Sequence, residues 1–332
     1  MAKTTLISEM LKLHFGSKII CTDGEDGTLV DVVADPKSRR VTSIAVRQRR
    51  IFGKTVHLPF DTVEDATSDG VRLRITLDDV AAATAQFEGV HLDNKSSVER
   101  AGAGNKGALE LVAVQPESGE LAYIVARNLQ AGRDTLIQAE YISSLAAGQV
   151  KIEMPEATLE ALPPYRPDRA LQREVERTLF AVTSLYVDLK GITLRVLDGV
   201  LYIDGNISSK LRSDMVTDQA SGVEGLLEIK NSLIADDMLQ GDLARALGDD
   251  RRTRDLPIGV YPRLGVVRLS GAVRNNGQKV AAEEIVRTIP GVRSVINGLV
   301  VDPNAAILRT MAEPEGGNKE DIIPGKWVRH TG

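Results

Sequence analysis

The sequence predicts an α+β, multi-domain chain: a strand-rich first half followed by two αββαβ units. Three observations predict it. The stretch Leu197–Ile207, with Asp198-Gly199 and Gly205, returns as Arg263–Val273, with Gly265 and Gly271, at a constant offset of 66 residues. The same offset carries Gly225 to Gly291 and Asn231 to Asn297, and internal duplication outranks other sequence signals. The first half repeats more loosely: Gly27-Thr28-Leu29 lies over Gly107-Ala108-Leu109 and Asp35-Pro36 over Gln115-Pro116 at 80 residues, then Val63 over Ile142 at 79.

The first half is built of short strands. Lys18–Cys21 precedes the turn cluster Asp23–Gly27, Thr28–Ala34 is apolar up to the turn at Asp35-Pro36, and Val41–Arg47 follows. In that strand Ile44 and Val46 alternate against Ser43 and Ala45. Thr55–Leu58 stops at Pro59, and Val71-Arg72-Leu73-Arg74-Ile75 alternates cleanly, so one face should be buried. Frequent short strands indicate a small barrel or sandwich. Between the copies, Asp78 to Phe87 is expected to be helical with an aspartate cap.

The run of Gly-Asp turn, strand, Asp-Pro, strand and Leu58-Pro59-Phe60 resembles the PRC-barrel family. The resemblance implies a six-stranded β-barrel over Gly16–Ile75 that serves as a docking module. The second copy, where Ile137-Gln138-Ala139 replaces Leu-Pro-Phe, resembles it in degenerate form. The expected domains are 1–80 and 81–154. Pro155, Pro163, Pro164 and Pro167 mark 155–167 as a semi-rigid linker, since proline at this density does not continue a helix or a central strand.

Beyond it, Leu171, Val175, Leu179 and Val182 recur at helical spacing, and Ile192, Leu194 and Val196 alternate as a strand. Asp198-Gly199 is a two-residue hairpin signal. Leu201 and Ile203 match Val267 and Leu269, so these should be buried, with Tyr202 and Arg268 on the opposite face. Ser208–Gly222 and Gln278–Thr288 are expected as second helices, the latter with a buried stripe of Ala281, Ile285 and Ile289. The closing strands carry Gly291-Val292-Arg293-Ser294-Val295-Ile296-Asn297-Gly298-Leu299 and its counterpart from Gly225.

This order, ending in Gly-Val-x-x-Val-x-Asn-x-Leu, resembles the BON domain. The resemblance implies two αββαβ sandwiches, at 168–235 and 236–303, and a binding role often attributed to phospholipid surfaces. The fold class expected for the whole chain is therefore two PRC-type barrels followed by two BON-type sandwiches, with a loosely held tail at 304–332 that contains Trp327.

Composition narrows the function. The net charge of −5 argues against a general nucleic-acid binder, and residues 81–165, with 11 acids to 6 bases, carry the whole acidic excess. Cys21 is the single cysteine, which excludes an intramolecular disulfide and a thiolate cluster. A poor signal-peptide pattern and no membrane-length apolar run make a cytoplasmic location the expectation. Gly102–Gly107 fits Gly-x-Gly-x-x-Gly, but the alternating Ala108–Val114 after it is strand-like, and a dinucleotide loop needs a helix N-terminus there. His14, His57, His91 and His330 are scattered, and Asp23–Asp26 lacks the calcium-loop spacing. Asn231 and Asn297 sit among apolar residues, and backbone ties suit them better than a catalytic role.

No enzyme and no cofactor is expected. The unusual local signal is basic. Lys37–Phe60 holds seven Lys/Arg and no acid, and Arg47, Arg49, Arg50 and Lys54 gather on a loop. That loop is a partner-binding candidate for protein, a second copy or an anionic phospholipid surface, against the plain alternative of a solvated charged loop. The competing functions are an RNA- or ribosome-associated factor acting through the same loop and a nucleotide enzyme acting through Gly102–Gly107.

Overall fold

The structure, a computed structural model, describes residues 6–49, 53–102, 104, 106–130 and 132–305. The chain is mixed α+β, mostly strand, with several sheets, and divides into two compact units, Met1–Ile234 and Ala235–Gly332. The tail beyond Ala305, including Trp327, lies outside the described residues, as do Arg50, Ile51, Phe52, Ala103, Asn105 and Ala131.

In the first unit the opening strands are β1 (Leu11–His14), β2 (Lys18–Cys21), β3 (Gly24–Ala34), β4 (Val41–Arg47), β5 (Thr55–Pro59), β6 (Val63–Thr67) and β7 (Gly70–Leu73). After helix α1 (Leu77–Ala82) come β8 (Val90–Leu92), β9 (Ser97–Arg100), β10 (Lys106–Val114), β11 (Leu121–Gln130), β12 (Arg133–Gln138), β13 (Ile142–Ala146) and β14 (Gln149–Ile152). The cap of α1 is Thr76, whose side chain accepts from Asp79 N in a reciprocal capping box, two residues before the expected Asp78, and the helix ends at Ala82, short of the expected Phe87.

The two halves of this strand-rich region share one topology. The hydrogen-bonded order β5-β4-β3-β2-β7-β6 is repeated as β12-β11-β10-β9-β14-β13. The bulges repeat too, at Leu29/Asp31 and Leu109/Leu111. The seventh strands are exchanged. β1, from the first half, pairs with β10, and β8, from the second, pairs with β3. The registers are equivalent: Leu13↔Val112 and Leu92↔Val32. Each long strand is covered by β2 or β9 along only half of one edge, and the exchanged strand closes the remainder. A division at residue 80 therefore does not separate the two sheets.

A second reciprocal contact joins the Asp35-Pro36 turn to its counterpart. Val41 N donates to Gly119 O (2.8 Å) and Leu121 N to Arg39 O (2.9 Å), with Arg39 at φ 55° and Gly119 at φ 68°. One hydrophobic cluster consequently runs through both halves, from Leu13 and Leu29 to Leu109 and Ile152. In β4, Ser43, Ile44, Ala45 and Val46 are all buried, so the expected alternation fails because this inner strand is covered on both faces.

The 155–167 segment is not a bare linker. Pro155 is the N-cap of α2 (Glu156–Ala161), and β15 (Pro164–Tyr165) joins the edge of β12. Proline is tolerated at both places because neither the start of a helix nor a sheet edge needs every N–H. Leu159 is buried, and its carbonyl accepts from the Gln130 side chain.

The rest of the first unit is α3 (Asp168–Phe180), β16 (Ile192–Leu197), β17 (Val200–Ile207), α4 (Lys210–Ser221) and β18 (Glu228–Ala235), with sheet order β16-β17-β18. The second unit repeats the order: α5 (Asp236–Asp249), β19 (Ile258–Arg263), β20 (Val266–Val273), α6 (Asn276–Arg287) and β21 (Ser294–Asn297), with a short β22 (Val300–Val301). Ser209 caps α4 and Asn275 caps α6, 66 residues apart, each accepting from the N–H three residues on. Leu201, Ile203, Val267 and Leu269 are buried, Tyr202 is half-buried and Arg268 exposed. In α6 the fully buried positions are Ala281, Ala282 and Val286, with Ile285 and Ile289 half-buried. The stripe is rotated from the expected one toward β20 and β21, which α6 packs against.

Candidate binding surfaces

The repeated motif residues are structural in their geometry. Gly199 and Gly265 take φ +75° and +77° in the hairpin turns, as two-residue turns require. An acid clamps each turn: Asp168 accepts from Asp198 N and Gly199 N, and Asp236 accepts from Leu264 N and Gly265 N. Gly225 and Gly291 follow the second helices at φ +96° and +92°.

The two asparagines make matching ties. Asn231 Nδ2 donates to Ser213 O (3.1 Å) and Thr217 Oγ1 (2.8 Å), and its Oδ1 accepts from Leu233 N (3.0 Å). Asn297 Nδ2 donates to Lys279 O (2.9 Å) and Glu283 Oε2 (3.0 Å), and its Oδ1 accepts from Leu299 N (3.3 Å). Each amide fastens the closing strand to the preceding helix. Asn297→Leu is expected to lower the stability of the second unit by about 2 kcal/mol, since it leaves the Lys279 carbonyl and the Leu299 N–H without these partners. Urea unfolding followed by circular dichroism measures this, and an unchanged midpoint would refute the role.

In the first unit, the sheet of the αββαβ repeat is docked on the strand-rich region. Asp198, in the hairpin turn at φ 51°, is 1% exposed and lies 2.5 Å from His14 Nε2. Its carboxylate also accepts from Ser68 N at 3.2 and 3.1 Å. Arg195 forms an ion pair with Asp69, and Glu228 accepts from Ser8 N and Ser8 Oγ, both at 2.9 Å. Lys12 is buried beside this junction. Burial pulls its pKa down, opposed by Asp198, Asp65 and Glu228. Burial likewise raises the phenol pKa values of Tyr123 and Tyr165, with Asp198 and Asp168 adding to the shift. Sequence reasoning missed this junction because its residues come from four separate segments.

The basic run divides into two parts. Arg39 donates to Ala139 O (3.0 Å) and Arg40 to Ser118 O (2.7 Å), so these two hold the halves of the strand-rich region together. Arg47, Arg49 and Lys54 are exposed at the end of the β4–β5 hairpin, and Arg50 lies outside the described residues. The hairpin is closed by Gln48 N to Lys54 O (3.2 Å), and Arg49 N donates to Asp26 Oδ1 (2.9 Å). Among the described residues, no ion pair engages the side chains of Arg47, Arg49 or Lys54.

The fold brings together two of the scattered histidines. His91 Nδ1 lies 2.6 Å from Asp31 Oδ2, and His57 meets His91 edge-on at 5.6 Å. Burial raises the Asp31 pKa, with the His91 hydrogen bond opposing it. Among the described residues, no group of three or more His, Cys, Asp or Glu is placed to hold a metal. Cys21 is buried, and burial raises its thiol pKa. Lys106, paired with Glu99, begins β10 and Gly107 pairs with Val98, so the glycine-rich stretch leads into a strand.

In the second unit the outer face of the sheet, away from α5 and α6, presents Tyr261, Arg263, Arg268, Arg293 and Ile296, all exposed. Tyr261 is directly across from Arg268 in the β19–β20 pairing.

Residues 235–303 match the BON domain family. The chain is 26% identical over 148 residues to Osmotically-inducible protein Y of Escherichia coli (strain K12), covering 41% of this chain and 73% of that protein. Two solved structures of CdsD, a structural protein of the Type III secretion system of Chlamydia trachomatis, are similar at 20% identity and a TM-score of 0.35. One is the C-terminal domain, with 42% of this chain and 68% of that chain covered; for the other the shares are 41% and 64%, less than two thirds of its length. No helix among the described residues is long and apolar enough to cross a membrane.

Proposed function

We propose that this chain is a non-catalytic, multi-module binding protein of bacterial type that contacts protein or anionic surfaces and serves in stress physiology. Its modules are two PRC-barrel-type domains, 1–80 and 81–154 with their first strands exchanged, a packed connector at 155–167, and two BON-type domains, 168–235 and 236–303. The observation that carries the reading is the BON match over 235–303 together with its 66-residue counterpart. Similarity to an osmotically inducible protein supports the link to stress. The matched strand orders of the first half support the paired barrels.

The loop of Arg47, Arg49, Arg50 and Lys54 is the contact surface proposed first. Its described side chains are exposed and lack ion pairs, so an arriving anion displaces only water and counterions. Replacing all four with Ser should weaken binding to anionic vesicles or to protein partners about tenfold at low salt, and less at physiological salt, where exposed charges are screened beyond roughly 8 Å. Co-sedimentation with phosphatidylglycerol vesicles, RNA binding across a salt series and mass in solution are measured in parallel. Loss of RNA binding alone would favour the RNA-associated reading. Unchanged behaviour in all three would leave the loop a solvated one and defeat the proposal.

A further inference from the structure

The two αββαβ repeats differ in what their outer sheet faces meet. At 66-residue spacing Arg195 corresponds to Tyr261, Tyr202 to Arg268, Glu228 to Ser294 and Lys230 to Ile296. In the first repeat this face is seated on protein. Arg195 pairs with Asp69, which sits with Ser68 in the turn between β6 and β7, and Glu228 and Asp198 accept hydrogen bonds from Ser8 and Ser68. At three of the four positions the second repeat is the more open: Arg268, Ser294 and Ile296 (50%) are exposed where Tyr202, Glu228 and Lys230 are half-buried, whereas Tyr261 (56%) and Arg195 are both exposed.

The open face is also purely basic. Arg263, Arg268 and Arg293 lie on it, and among the described residues none has a side-chain ion pair or hydrogen bond, whereas Arg252 and Arg287 elsewhere in the unit pair with Asp250 and Glu283. Every acid between 236 and 302 is on α5, on α6 or in the segments after α5 and β22; none is on β19, β20 or β21. The first repeat's face is mixed in sign, with Arg195, Asp204, Glu228 and Lys230. A sheet face with arginines around an exposed tyrosine and isoleucine has the composition of a protein-binding surface: aromatic, arginine-rich and poor in acids.

We infer that the outer sheet face of the second repeat, centred on Tyr261, Arg268 and Ile296 and rimmed by Arg263 and Arg293, docks an acidic surface of another protein. The mode is that of the first repeat, where a carboxylate on a turn, Asp69, meets an arginine of the sheet. The charge is complementary to such a turn, and planar guanidinium groups suit bidentate carboxylate contact. The inference rests on the reading of the chain as a binding protein, but it uses a face remote in sequence from the Arg47–Lys54 loop.

The test uses the full chain and a short fluorescein-labelled poly-L-glutamate, read by anisotropy at low salt. The R263S/R268S/R293S variant is expected to bind it about tenfold more weakly, while R245S/R251S/R254S, which removes the same charge elsewhere in the second unit, retains binding. Circular dichroism confirms that both variants fold. If the Arg47–Lys54 loop variant loses the probe and the sheet variant keeps it, this inference falls and the broader binding reading stands. If phosphatidylglycerol vesicles depend on the three arginines and poly-glutamate does not, the face belongs to lipid and the inference is overturned. Self-association abolished by the triple substitution, seen in sedimentation velocity, would assign the face to a second copy and equally overturn it.

Discussion

Gly271→Ala is expected to destabilise the second unit severely, and Gly205→Ala to do the same to its counterpart in the first. Both glycines sit in the second strand of the repeat at positive φ, +110° and +120°. That backbone conformation alone costs a side-chain-bearing residue about 1–3 kcal/mol. The larger cost is steric. A Cβ at 271 would lie under 3.0 Å from the carbonyl oxygen of Pro257, and one at 205 under 3.0 Å from that of Gly191. These are backbone atoms, so no side chain can rotate away. Relief requires moving the start of β19, which breaks the Ile258↔Gly271 pairing and the Ala272 N to Pro257 O bond (3.2 Å). The total should exceed about 3 kcal/mol, a large share of the roughly 5–15 kcal/mol that holds a domain folded. Gly241→Ala is the internal control. That helical glycine has open space where its Cβ would go, so alanine there should gain about 0.5–1 kcal/mol. Urea titrations of the three variants check the ordering, and a Gly271→Ala protein as stable as the parent would refute the close-approach account.

Asp198→Ala is expected to loosen the first αββαβ repeat from the strand-rich region at a cost of about 3 kcal/mol, the magnitude for removing one partner from a buried charged cluster. The carboxylate serves two groups there, Ser68 N and His14, and both would be left short of a partner in a place that water enters poorly. Alanine also tolerates the φ of 51° at this turn less well than aspartate. Asp198→Asn retains one acceptor oxygen, so its cost should be smaller. Hydrogen exchange reads the result directly: faster exchange in β1 and in β16–β17 of the alanine variant is expected, with β3 and β4 unchanged. Leu264, the counterpart in the second unit at φ 48°, has no such carboxylate, and Leu264→Asn should leave exchange in its unit near the parent value.

Much of the local structure was legible because the physics that specifies it is local. The hairpin turns at Asp198-Gly199 and Leu264-Gly265 follow from positive φ, and the buried Leu201, Ile203, Val267 and Leu269 follow from period-two alternation with one face covered. The buried stripe of α6 lies one position from the expected one because its apolar residues outnumber the buried ones, and packing against β20 and β21 selects among them. The basic loop was visible as composition, yet its division into Arg39 and Arg40 as internal ties and Arg47, Arg49 and Lys54 as free surface was not. Side-chain charge does not say which backbone carbonyl lies within reach.

By itself the sequence determined the two duplications, the strand and helix periods, and the glycines and asparagines that recur at 66 residues, since each depends on a residue and its near neighbours. Tertiary structure alone decided the exchange of β1 and β8, the seat of the first repeat's sheet and the openness of the second's. Leu11–His14 and Val90–Leu92 are near-equivalent segments facing near-equivalent edges on β3 and β10. Local pattern therefore cannot choose between pairing at home and pairing across. That choice falls to long-range packing: the exchanged strands help one continuous core form through both halves, where unexchanged strands would leave two smaller ones.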